Sequence, residues 1–266
     1  MRRIPLAATL LLVMTAACSD SPTTSGTPLG TALNEDIAAV AADGVAQDVD
    51  LMAGANGELG TVSFAGAALL DPPHGPGNVE GCGFGGGRWT CPRNRANGLD
   101  VTRSVEFLDG AGESMQAYDA DLTATILVEV TIEGDVTRGP WSASTHRERD
   151  LVFTGLLGAN TVRTVNGTGH EEISRARVGA GNSPERGYEL TCDLTIEDVV
   201  VPVPGEGIDP WPLSGTITRT CTVTPRNGDP VVRTVLVTFD GTSTPDATVN
   251  GEPFEIDLAA RQARRR

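Results

Sequence analysis

Residues 122–132 read Leu-Thr-Ala-Thr-Ile-Leu-Val-Glu-Val-Thr-Ile. Leu122, Ala124, Ile126, Val128, Val130 and Ile132 fall on one side of an extended chain. Thr123, Thr125, Glu129 and Thr131 fall on the other. A two-residue period with one apolar and one polar side predicts an antiparallel strand, half-buried on a sheet. The same rhythm runs outward from this stretch, from Leu99 to Leu258. Val101 to Phe107 precedes it, turns at Asp109 to Gly112 and returns through Tyr118. Trp141 to Phe153 and Thr161 to Arg177 continue it more weakly. Val231 to Phe239 turns at Asp240-Gly241. Ala247 to Val249 and Phe254 to Leu258 flank Asn250-Gly251, and Asn-Gly between alternating runs is the strongest short hairpin signal.

The cysteines sharpen two of these hairpins. Tyr188 to Val201 and Pro212 to Pro225 are joined by a loop centred on Glu206-Gly207. Leu190, Cys192, Leu194 and Ile196 share one side of the first strand. Ile217, Cys221 and Val223 share one side of the second, with Arg219 an exception among them. Cys192 and Cys221 are equally far from the loop centre, so a simple hairpin sets them opposite each other. Directly opposed Cβ atoms are about 4.5–5.5 Å apart, within local adjustment of a disulfide; two buried free thiols are the alternative. Gly81 to Cys91 (GCGFGGGRWTC) formally contains GxGxxG. A dinucleotide site needs a strand before it and a helix after it, and neither is present. A turn at Gly86-Gly87 instead sets Gly85 against Arg88, Phe84 against Trp89 and Cys82 against Cys91, a second candidate disulfide. Half a metal site is the competing reading, but no second Cys/His pair lies nearby, and no metal is expected.

One stretch has a different period. Thr31 to Ala53 places Leu33, Ile37, Val40, Ala41, Val45, Val49 and Met52 at three- and four-residue steps, the mark of an amphipathic helix. Asn34 or Thr31 can cap it, and Glu35 and Asp36 suit its N-terminal end. Gly44 costs about 1 kcal/mol inside a helix, which points to a close neighbour. About eleven strands at 4.8 Å spacing make a sheet roughly 50 Å wide, and one helix about 10 Å across cannot cover it flat. The expected fold is therefore mainly β: a large curved antiparallel sheet or incomplete barrel, mostly meander, with the N-terminal helix on its concave side. That outline resembles the half-barrel of lipoprotein-carrier proteins, in architecture alone.

The first twenty residues carry a separate signal. Met1-Arg2-Arg3 is basic, and Ile4 to Met14 is uncharged and too short to span a bilayer, which takes about 20 residues. Small residues follow, as in a secretory signal peptide. Thr15-Ala16-Ala17-Cys18 resembles the lipobox of bacterial lipoproteins, over residues 1–20 only. The resemblance implies cleavage before Cys18, a diacylglyceryl group on its sulfur and an acylated new amino terminus. Ser19 after the cysteine implies sorting to the outer membrane of a bacterial cell envelope. Cys18 is also the odd one of five cysteines, which lipidation explains. Two or more acyl chains give stable anchoring. Ser19 to Gly30 is too rich in Ser, Thr, Pro and Gly to bury and reads as a tether. The expected organisation is a signal peptide over 1–17, a lipidated tether over 18–30, one β domain over 31–260 and a basic tail over 261–266, the tail frayed or in contact with anionic head groups.

Composition narrows the function. The formal charge is −15, and cleavage removing Arg2 and Arg3 lowers it by two, to −17. Such a chain repels phosphate backbones, so no nucleic-acid partner is expected. All bases are arginine. The three histidines, His74, His146 and His170, lack metal-ligand spacing, and the last two stand beside charges. No nucleophile elbow, zinc-protease or phosphate-loop pattern occurs, so no catalytic residue and no cofactor is expected. The leading expectation is a non-enzymatic, membrane-anchored structural or interaction module. The alternative is a carrier of a lipid or other hydrophobic ligand, in a cavity between helix and sheet. An enzyme would need polar residues converging in one cleft.

Overall fold

The computed structural model describes residues 29–53, 83–96, 99–138, 141–158, 160–178, 184–203 and 207–266. The fold is mainly β, as the alternation predicts. Thirteen antiparallel strands form one sheet that does not close. The strands are β1 (Gly83–Gly85), β2 (Arg88–Ala96), β3 (Leu99–Asp109), β4 (Ser114–Met115), β5 (Thr123–Arg138), β6 (Trp141–Thr154) and β7 (Val162–Val178). They continue as β8 (Pro184–Pro202), β9 (Ser214–Pro225), β10 (Val231–Thr238), β11 (Asp246–Val249), β12 (Glu252–Asp257) and β13 (Gln262–Arg265). Each strand pairs with its neighbour in sequence, except that β4 folds back on β3, leaving β3 beside β5. The result is a meander of local hairpins.

Helix α1 (Leu29–Ala53) packs on this sheet. The expected face is buried: Ile37, Val40, Ala41, Val45, Val49 and Met52 are each 6 % exposed or less. So are Ala38, Ala42, Ala46 and Leu51 from the other sides. A helix enclosed nearly all round is an interior element, not a surface cover. Its core includes the inward residues of β3 and β5 to β12, among them Phe107, Ile132, Leu190, Ile217 and Phe254.

Three local expectations are corrected. Asn34 is no cap: the helix begins at Leu29, and Asn34 is buried in its second turn, accepting a hydrogen bond from Arg233 Nε at 2.9 Å. Leu122 is exposed, whereas Thr123 is fully buried. The pairing of β3 with β5 slips between Leu108 and Asp109, where Asp109 pairs with Thr123. The Asp119 carboxylate also takes the amides of Asp121 and Leu122 into a turn, and the Thr123 hydroxyl takes the Asp119 amide. The predicted alternation therefore holds from Ile126 onward, with Val128, Val130 and Ile132 buried in the expected phase, and is broken before it by this bulge. Residues 262–265, expected in a free basic tail, are β13, paired with β12. Carboxylates on the neighbouring strands hold them: Arg265 meets Glu252 at 3.4 Å, and Arg266 meets Asp246 at 2.5 Å.

The two cysteine hairpins have the predicted registers. Cys192 faces Cys221, with Cα atoms 4.0 Å apart, and the two form a disulfide. Phe84 faces Trp89, and Gly85 faces Arg88 around a Gly86-Gly87 turn with both φ angles positive. Cys91 is buried on β2; its proposed partner Cys82 lies outside the described residues.

Candidate functional site

Strands alternate, so residues in phase with the core point inward whatever their chemistry. On β6, Leu151 and Phe153 are buried, and two and four residues back come Arg149 and Arg147. On β9, Arg219 stands between Ile217 and Cys221. On β7, Glu171 is in phase with Ile173. All four charged groups are therefore carried into the interior, and each is at most 3 % exposed. The enclosed helix brings Asp48 to meet them, also 2 % exposed.

These groups close a ring of alternating charge. The Asp48 carboxylate accepts from Arg149 Nε and from Arg219 Nη2, each at 2.6 Å. The Glu171 carboxylate accepts from Arg219 Nη1 at 2.7 Å and from Arg149 Nη2. Two guanidiniums and two carboxylates sum to zero charge, which is what an interior site requires. Arg147 flanks the ring. It donates to the Gln47 side chain, lies 3.5 Å from Glu171 and stands 3.6 Å from Asp43. Burial pushes the Glu171 carboxyl up, but Arg219, Arg149 and Arg147 outweigh it and hold Glu171 well below the usual carboxylate range. Burial likewise pulls Arg149 down, and Asp48 and Glu171 more than reverse it.

Two glycines make room for the guanidiniums. Gly169 is directly opposite Arg149. A Cβ there would lie 2.5 Å from the Glu148 carbonyl and 2.8 Å from Arg149 Cδ. On the helix, a Cβ at Gly44 would lie 2.5 Å from Arg219 Nη1. The close neighbour that the sequence implied is thus Arg219. Gly44→Ala gains about 1 kcal/mol of helix propensity yet displaces a guanidinium locked by two carboxylates. The crowding cost of about 1–3 kcal/mol wins, and urea denaturation of G44A is expected to show a net loss of stability. A gain would mean that Arg219 swings aside freely.

Beside the ring, a cavity of about 440 Å³ lies between α1, β6, β7 and β13. Val40, Ala143, Ile173 and Ala263 give it apolar walls, with Val136 and Trp141 at one end. Thr145 and Arg147 line the end nearer the ring, together with Gln47 and Asp43 of the helix. The Thr145 hydroxyl oxygen is buried and makes no hydrogen bond. Arg175 lies over the Trp141 ring, 4.3 Å from its centroid. Arg261 closes the β13 side and pairs with Asp50 of the helix.

The other sequence candidates are elsewhere. Cys18 and His74 lie outside the described residues. His146 and His170 are on the outer face of the sheet, His146 Nδ1 being 3.1 Å from Glu133 and His170 Nδ1 2.8 Å from Asp193. The hydrogen bond to Asp193 raises the His170 pKa. Cys192 neighbours Glu171 in the sheet register, so the disulfide sits beside the ring. The ring itself went unread as a site in the sequence. Its signal was there: Arg147, Arg149 and Arg219 each interrupt an apolar face in phase with it.

The chain matches no protein-family model, no curated protein and no solved structure, so its fold and site stand on their own geometry.

Proposed function

We propose that this chain is a lipid-anchored lipoprotein of the bacterial cell envelope, tethered through Cys18, whose β domain is a non-enzymatic module that binds a small amphipathic ligand. The cavity of about 440 Å³ between the helix and the sheet carries the binding part of this reading. That size is within the range of small-molecule sites, which mix apolar walls with a few placed polar groups. The lipobox-like Thr15-Ala16-Ala17-Cys18 supports the anchor. Its sorting residue, Ser19, supports the outer membrane, and the tether over 18–30 would hold the domain off the lipid surface.

A second reading is a structural or interaction module with a protein partner. The ring favours it, because a helix fastened by buried ion pairs at Asp48 is a poor lid. Native mass spectrometry of the protein from an envelope extract separates the two. A small-molecule adduct that leaves on denaturation supports the binder, and a bare chain bound to another protein supports the second reading. The same sample tests the anchor. An amino terminus at Cys18 carrying diacylglycerol and an acyl chain is expected; an unmodified Cys18 would sink it.

A further inference from the structure

The cavity's lining discriminates among ligands. Three arginines, Arg147, Arg175 and Arg261, face one carboxylate, Asp43, across it. This is a positive hollow in a chain whose formal charge is −15. Low-dielectric walls focus such a field and favour an anion. The three cations are not equivalent. Arg147 is engaged by Gln47, Asp43 and Glu171, and Arg261 by Asp50 and Asp43. Arg175 is held by the Trp141 ring and has no carboxylate partner among the described residues. A guanidinium resting on an aromatic face keeps its N–H edge for a bidentate acceptor.

The opposite end supplies a second point. Thr145 is 7 % exposed, its hydroxyl makes no hydrogen bond, and it lines the same cavity. A buried hydroxyl without a partner costs stability until something supplies one. Trp141 and Thr145 are four residues apart on β6, which is roughly 14 Å along a strand. Between them on β6 is Ala143, with Arg175 opposite it and Ile173 opposite Thr145, and Val40 of the helix completes the apolar wall. An anion-preferring end at Arg175, an apolar middle and a second polar end, where Arg147 is already engaged and the Thr145 hydroxyl makes no hydrogen bond, define a molecule of that pattern.

We infer that the cavity takes a small amphipathic carboxylate, its carboxylate on Arg175, its apolar body along Ala143 and Ile173, and a distal hydroxyl or similar group on Thr145. This rests on the binding-module reading and specifies its ligand class. An extended chain of about ten carbons spans the same distance as the strand segment.

The test is calorimetric titration of the chain from Ser19 onward, which lacks only the lipidated Cys18 of the mature protein, with three probes: 10-hydroxydecanoate, decanoate and 1,10-decanediol. 10-Hydroxydecanoate is expected to bind tightest. Decanediol, lacking the charge, is expected to bind at least about tenfold more weakly, because charge-assisted hydrogen bonds are roughly twice as strong as neutral ones. Arg175→Met is expected to erase the preference for carboxylate over diol. Thr145→Val is expected to erase the preference for 10-hydroxydecanoate over decanoate. Ala143→Trp, which fills the cavity from a half-buried position, is expected to abolish binding of all three while leaving the unfolding transition in place. Equal affinity for diol and carboxylate would overturn the inference and leave the binding-module reading intact. No binding of any probe would overturn the inference, and the adduct mass from the envelope extract would then decide the wider reading separately.

Discussion

Glu171→Ala is expected to lower the unfolding free energy by about 3–5 kcal/mol, the usual cost of deleting one partner of a buried ion pair. Domains of this kind have roughly 5–15 kcal/mol to lose, so the variant is close to the edge of folding. The cost does not measure the attraction in the ring. It arises because Arg149 and Arg219 would be left at 1–2 % exposure with one carboxylate, Asp48, between two positive charges. Neither guanidinium can deprotonate to escape. Arg219 is also pinned against the helix backbone at Gly44 and Arg149 against the strand at Gly169, so neither can swing to water without moving the chain. A chevron-free equilibrium measurement suffices: the urea midpoint should drop with little change in slope. A loss under 1 kcal/mol would mean that water reaches the ring.

Acid should act on the same group. Glu171 is held below its ordinary pKa in the folded state by Arg219, Arg149 and Arg147, against the burial that raises it. A depressed folded pKa contributes stability that is present above the unfolded value, about 4.3. It is lost as pH falls from there towards the folded value, because the unfolded chain takes up the proton first. Stability is therefore expected to decline below about pH 4.5, with Glu171→Gln flattening that part of the slope. The converse substitution sharpens the point. Replacing Asp48, Arg147, Arg149, Glu171 and Arg219 together with apolar residues of similar volume is expected to be neutral or stabilising. The ring then fixes where the helix sits more than how stable the domain is. A sheet lined with Val, Ile and Leu offers many equivalent seats for an Ala-rich helix, but only one seat pairs Asp48 with both arginines, Gln47 with Arg147 and Asn34 with Arg233.

Why the sheet was legible and the ring was not follows from this geometry. Strand identity depends on a local period, and hairpin register on turn residues a few positions away. Val128 and Ile132, the Asn250-Gly251 turn and the Cys192–Cys221 pairing could each be read within one or two neighbouring segments. The ring joins residues 48, 149, 171 and 219 from four elements, and no local pattern says that these meet. Read alone, Arg147 and Arg149 in a run of charges suggest a solvated strand, yet their phase with Leu151 and Phe153 places them inside. The extent of the helix is legible in its period, but Asn34 has the chemistry of a cap, and only its distant partner Arg233 explains its burial inside the helix. The terminal arginines looked like a tail for the same reason. Their neutralising carboxylates, Glu252, Glu255 and Asp246, belong to strands that come beside them only once the sheet is built.

Removing the disulfide by Cys192→Ala with Cys221→Ala is expected to cost about 3–4 kcal/mol at 25 °C. This figure follows from closing a loop of 29 residues in the unfolded chain, since closure entropy grows with the logarithm of loop length. Part of the effect will be packing, because the two cysteines are 1 % and 3 % exposed and Cys192 stands beside Glu171. The two parts separate in one comparison. In a background carrying Cys82→Ala and Cys91→Ala, so that no other cross-link is reduced, reduction removes the link and keeps the sulfurs, whereas the alanine pair at 192 and 221 removes both, so the difference between them is the packing cost. The cross-link's share should also appear as a steeper urea dependence, because an unfolded chain freed of the link exposes more surface. The hairpin itself should survive, since its register is also set by Leu190 against Val223 and Ile196 against Ile217. Consequently the reduced protein should retain its strands but be measurably less stable. A loss below about 1 kcal/mol on reduction would mean that the unfolded chain already keeps these two strands together, and the hairpin would then be a pre-formed element of folding rather than one held by its cross-link.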